Sequence, residues 1–146
     1  MAEVFDVFIS YRRKGGQELA RALYSYLDGK GLRVFLDEVK LQTGDYFDTQ
    51  LREKLISAPH YVLIGTNDAF NYREGEDWVR EEALLAVEEH EKAPSERTLT
   101  VLVPYDAVLP DKLPGKLDRI LKAQRIPMPF GAAHEDNCEK TQQASP

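Results

Sequence analysis

Short, almost wholly apolar runs alternate along this chain with segments whose apolar residues recur at helical spacing, and few folds accept that alternation. Val4-Phe5-Asp6-Val7-Phe8-Ile9-Ser10, Leu32-Arg33-Val34-Phe35-Leu36, Tyr61-Val62-Leu63-Ile64-Gly65 and Leu99-Thr100-Val101-Leu102-Val103 read as strands. They suit the middle of a parallel sheet better than an exposed one. Between them, Leu19, Ala20, Leu23, Tyr26 and Leu27 predict a helix that Asp28-Gly29-Lys30-Gly31 stops. A second helix carries Leu51, Leu55 and Ile56, and a third runs from Trp78 to about Lys92, where Ala93-Pro94-Ser95 breaks it. Leu117, Ile120 and Leu121 suggest one or two further helical turns, and Gln124-Arg125-Ile126 a short fifth strand. The class is therefore α/β: an open parallel sheet with helices on both faces.

Such sheets hold ligands beyond the carboxyl ends of their strands, where strand order reverses; in the order 2-1-3-4-5 that crevice lies between strands 1 and 3. The loop after strand 1 is the basic, glycine-containing Tyr11-Arg12-Arg13-Lys14-Gly15-Gly16. Beyond strand 3 come a polar loop holding Phe70 and Tyr72, and then Asp77-Trp78-Val79-Arg80-Glu81-Glu82. Asp77 is a favourable N-cap for the third helix. Trp78 and Glu82 are i and i+4, so they share a face, and Glu82 falls between Trp78 and the core-facing arc of Val79, Ala83, Ala86 and Val87. Glu82 is expected to be half buried beside the ring and Glu81 to be solvated. A carboxylate in a partly dry place beside an aromatic suits developing positive charge; from spacing alone a solvated face or a surface salt bridge fits as well.

Composition narrows the function classes. At 146 residues with a net charge of -6, the chain is the size of one acidic domain, which argues against duplex nucleic acid or an anionic membrane as partner. The single cysteine, Cys138, excludes an intrachain disulfide and a cysteine metal cluster. The apolar runs are too short for a membrane span and Met1-Ala2-Glu3 leads straight into a strand, so a cytoplasmic location is expected. Residues 131–146 lack apolar periodicity and read as a disordered tail behind a domain at 4–130. Neither G-x-x-x-x-G-K-[ST] nor G-x-G-x-x-G occurs, which weakens the nucleotide-triphosphate and hydride-transfer readings. His60, His90 and His134 show no metal-ligand spacing, and Ser10 has no His and Asp partners in a triad pattern. Glu88, Glu89 and Glu91 read as a solvated helix face.

Several of these stretches resemble a known family. Phe5-Asp6-Val7-Phe8-Ile9-Ser10-Tyr11 is similar to the first box of TIR (Toll/interleukin-1 receptor) domains, and Val34-Phe35-Leu36-Asp37 with Lys40-Leu41 and Gly44 to the second. Trp78-x-x-x-Glu82 is similar to the motif of the TIR domains that cleave NAD. Ile9-Ser10-Tyr11-Arg12-Arg13 with Asp77-Trp78-Val79 resembles most the sterile-alpha-and-TIR-motif NAD hydrolases. The resemblance implies a flavodoxin-like TIR fold and an NAD+ nucleosidase releasing nicotinamide and ADP-ribose or cyclic ADP-ribose, with NAD+ as substrate and no cofactor or metal. It implies a catalytic Glu82, a pocket shaped by Trp78, dinucleotide contacts from Tyr11, Arg12 and Arg13, and a loop from Asp37 to Tyr46, with Lys40 and Gln42 in it, covering the ligand. It also implies innate-immune or cell-death signalling through self-association in a homo-oligomer or filament. The alternative is a non-enzymatic TIR adaptor acting through TIR–TIR contacts around Leu41 to Tyr46. Gln42 stands where the enzymes can carry a ligand-contacting Glu, and Asp106-Ala107-Val108 lacks their tryptophan after strand 4.

Overall fold

The computed structural model describes residues 4–36, 51–72 and 77–128. Five parallel strands form one sheet: β1 (Val7–Ser10), β2 (Val34–Leu36), β3 (His60–Ile64), β4 (Thr98–Pro104) and β5 (Gln124–Met128). Their order is β2-β1-β3-β4-β5, the arrangement expected from the sequence. Among the described residues three α-helices connect them: α1 (Arg13–Gly29), α2 (Arg52–Ser57) and α3 (Trp78–Lys92). Two 3-10 segments, Asn67–Phe70 and Gly115–Lys122, complete the described elements. Because β1 lies between β2 and β3, the chain leaves β1 towards one edge and later returns to its other side, which opens a crevice above Ser10 and Ile64.

Side chains alternate across the strands and divide the core in two. Val7, Ile9, Val34, Ile64 and Leu102 pack with Leu19 and Ala20 of α1 on one face. Phe8, Tyr61, Leu63, Leu99 and Val101 pack with α2, α3 and the second 3-10 segment on the other. Period-two alternation thus turns Ser10 to the same side as Phe8, towards α3. Every member of the expected core arc of α3 is buried: Val79, Ala83, Ala86 and Val87. Gly65 lets β4 approach the end of β3, since a Cβ there would lie 2.7 Å from Val101 Cγ1 and 3.1 Å from the Leu102 carbonyl.

Two local expectations change. Strand 1 begins at Val7 rather than Val4; the Asp6 carboxylate is drawn off to the Arg33 amide at 2.8 Å, and the Phe5 amide donates to the Ser57 hydroxyl at 3.2 Å. The basic loop is shorter than read, because helical turns start at Arg13, break at Lys14 and Gly15, and resume. Gly15 has a φ of 80°, in the left-handed region that favours glycine.

Candidate active site

Helix α3 brings the carboxylate to the crevice. Asp77 adopts an extended N-cap backbone and its Oδ1 accepts the Arg80 amide at 3.2 Å, so the expected cap forms just ahead of Trp78. One turn on, Glu82 is 0% exposed, which corrects the half-buried expectation. The reason lies beside it: the small side chains of Ala83 and Ala86 bring the helix close to the sheet, and the carboxylate is carried in with them. There the Ser10 hydroxyl donates to Glu82 Oε1 from the last residue of β1. Glu81 stays at the surface beside Arg80 Nε at 3.4 Å, as its place on the wheel requires.

Tyr61 of β3 joins Ser10 and Glu82. Burial first, and the negative charge of Glu82 second, push its phenol well above the usual tyrosine range, while the Ser10 hydroxyl acts in the opposite sense. The Tyr61 hydroxyl lies under the influence of Ser10 without a hydrogen bond of good geometry among the described residues. Sequence reasoning weighed Ser10 only as a nucleophile and Tyr61 only as a strand residue. Their spacing from Phe8 and Leu63 on one sheet face is the signal that could have joined them.

Arg12 is turned into the protein. Its Nη1 donates to Asp77 Oδ1 at 2.8 Å, its Nε to the Asp68 carbonyl at 3.1 Å, and its Nη2 to the Ala69 and Asn71 carbonyls at 3.4 and 3.5 Å. The residue is 9% exposed and Asp77 2%. Tyr11, expected at the ligand, is buried in the core beside α1. Arg13 is exposed at the start of α1, and Trp78 is half-buried at the start of α3. Asp37, Lys40, Gln42 and Tyr46 lie outside the described residues, as do His134, Cys138 and the expected tail at 131–146. A cavity of about 260 Å³ opens beside this cluster, lined by Arg12, Lys14, Asp68, Asn71 and Tyr72. Burial, and then the charge of Asp77, push the Tyr72 phenol up to about 12, against the pull of Arg12 and Arg80.

The acidic end of α3 is not the solvated face expected of it. Glu89 is 8% exposed, pairs with Lys92 at 2.8 Å and lies 3.8 Å from Arg97. Glu91 reaches Lys116 at 3.4 Å and Arg119 at 3.1 Å. These carboxylates fasten the helix to Arg97, just ahead of β4, and to the second 3-10 segment, at the end of the sheet away from Ser10. His60 is occupied with the Thr98 hydroxyl at 2.9 Å.

A sequence model of the TIR domain matches residues 7–140. The chain belongs to the TIR-domain family. This TIR domain is 38% identical over 91 residues to the NAD(+) hydrolase sarm1 of Drosophila melanogaster, a match covering 60% of the chain and 7% of that protein. It is 38% identical over 96 residues to the NAD(+) hydrolase tir-1 of Caenorhabditis elegans, covering 63% of the chain and 10% of the relative. Identity to the NAD(+) hydrolase SARM1 of Danio rerio is 36% over 86 residues, covering 56% and 12%. The chain therefore spans only about a tenth of the length of these relatives. Among solved structures, the TIR domains of the activated Roq1 resistosome superpose with a TM-score of 0.53 at 20% identity, over 81% of this chain and 69% of that one. That likeness bears on the fold alone. Among the described residues no helix is long and apolar enough to cross a membrane.

Proposed function

We propose that this TIR domain cleaves NAD+ at the bond between nicotinamide and ribose, with Glu82 as the catalytic carboxylate. The observation that carries the reading is a carboxylate on α3 held by a strand hydroxyl at the carboxyl end of β1, in a chain similar to proteins named NAD(+) hydrolases. Nicotinamide is a cationic ring in the substrate, so it takes the bonding electron pair and leaves neutral without a general acid. What remains is an oxocarbenium-like ribose, and one preorganised carboxylate answers that charge. Such a group is worth about 3 kcal/mol of barrier. Water then adds to the anomeric carbon and loses a proton to give ADP-ribose; attack by an adenine nitrogen instead gives the cyclic product.

In this reading Trp78 shapes the ring pocket, and the pyrophosphate contact falls to Arg13, whose exposed guanidinium suits phosphate oxygens. The stretch with Asp37, Lys40, Gln42 and Tyr46 keeps the covering role. Glu82 has no exposed surface, so substrate reaches it only after its surroundings shift. Self-association, as a homo-oligomer or filament in cytoplasmic innate-immune or cell-death signalling, is the event we assign to that shift.

The same burial favours one alternative: a TIR adaptor in which Glu82 is a packing group and signalling runs through contacts between TIR domains. Nicotinamide release from NAD+ by the purified chain at high protein concentration, beside Glu82→Ala, separates them. Release that the folded variant loses supports the nucleosidase; no release from concentrated or artificially clustered wild type supports the adaptor.

A further inference from the structure

We infer that Arg12 is a positioning residue that sets the start of α3, and with it Trp78 and Glu82, rather than a group that grips the dinucleotide. Its guanidinium spends its donors inward, on the Asp77 carboxylate and on carbonyls of Asp68, Ala69 and Asn71. One side chain therefore ties the loop after β1 to the turn after β3 and to the N-cap of α3. Asp77 is the joint between these parts, because the same Oδ1 receives Arg12 Nη1 and the Arg80 amide. The residue after Asp77 is Trp78, and Glu82 stands one turn further along the helix.

Lysine is not a substitute here. An ammonium keeps the charge but cannot fork to a carboxylate and reach several carbonyls at fixed angles. A phosphate ligand, by contrast, tolerates a lysine as a point charge. The two roles thus separate on one conservative change. They also separate on Asp77, whose side chain is 0% exposed and pairs with Arg12. If Arg12 positions, losing the Asp77 charge reproduces the Arg12 defect; if Arg12 binds substrate, the two defects differ.

Trp78 is the single tryptophan of the chain, so intrinsic fluorescence reports on the first turn of α3 directly. Arg12→Lys and Asp77→Ser are the variants, the serine retaining an N-capping oxygen while losing the ion pair. Circular dichroism checks that each is folded. Both are expected to shift Trp78 emission and raise its quenching by acrylamide about twofold, and both to lower kcat for nicotinamide release about tenfold with KM within a factor of about two. The kinetic arm rests on the nucleosidase reading and the optical arm does not. A wild type that releases no nicotinamide removes that reading while fluorescence still decides the role of Arg12. Wild-type emission and quenching in both folded variants would overturn the inference, as would a raised KM in Arg12→Lys alone. Should Arg12→Lys fail to fold, Asp77→Ser decides by the same optical criterion.

Discussion

Glu82→Gln separates a carboxylate kept for chemistry from one kept for the fold. Glutamine matches the volume of glutamate, and its Oε1 still accepts from the Ser10 hydroxyl, so the about 1 kcal/mol that an orphaned hydroxyl would cost is avoided. What changes is the charge at a position with 0% exposure. Burying an ion costs several kcal/mol of desolvation, a cost that a neutral amide of the same shape escapes. Taking about 2 kcal/mol and an unfolding entropy of about 2.1 cal/mol/K per residue over the 146 residues, the midpoint should rise by about 7 °C. Differential scanning calorimetry at pH 7 measures it, with nicotinamide release from the same preparation. Higher stability with lost activity is the pattern of a strained functional group. A midpoint that falls by several degrees would refute the reasoning: the fold would then be using the charge.

Other perturbations test the frame around the site. Gly65→Ala forces a Cβ to within 2.7 Å of Val101 Cγ1 and is expected to cost about 1–3 kcal/mol, read as a shift in the urea midpoint. Raising the pH should destabilise the chain: Tyr72 keeps its proton in the fold up to about 12, whereas the unfolded chain loses it near the usual tyrosine value. Stability is thus whole below about pH 10 and declines as pH rises through the folded pKa, and Tyr72→Phe should flatten that decline in alkaline denaturation curves. Glu91→Gln loosens the half-exposed pairs with Lys116 and Arg119 and should cost under about 1 kcal/mol, a difference that 1 M salt should erase.

The sheet was legible because burial on both faces leaves a strand no polar positions to spare. Leu63 and Ile64 announce themselves without any alternation. The strand order followed from the resemblance and from the way such sheets are wound. Helix α3 was legible at both ends, through the Asp77 cap and the break at Ala93-Pro94. What the sequence hides is contact between distant side chains. The Ser10–Glu82 bond spans 72 positions and the Arg12–Asp77 pair 65, and no local period encodes either. Asp77 was read through its neighbours as a cap, which it is; its second partner comes from the far side of the crevice. The acidic run at Glu88, Glu89 and Glu91 misled for the same reason, since the cations that pair with Glu89 and Glu91 arrive from Arg97, Lys116 and Arg119.

These long-range pairs meet at one place, and that has a mechanical consequence. The first turn of α3 is held by Arg12 through Asp77, and its second turn by Ser10 through Glu82, so both turns are fastened to the end of β1 and the loop that follows. A shift of that loop would move Trp78 and Glu82 together, keeping the aromatic and the carboxylate in register while changing what covers them. Packed cores favour two discrete arrangements over a graded one. A contact made elsewhere on the domain therefore needs only to favour the arrangement in which Glu82 is uncovered, by as much as its own affinity differs between the two. In the nucleosidase reading this is how self-association switches on a carboxylate that the single chain keeps shut.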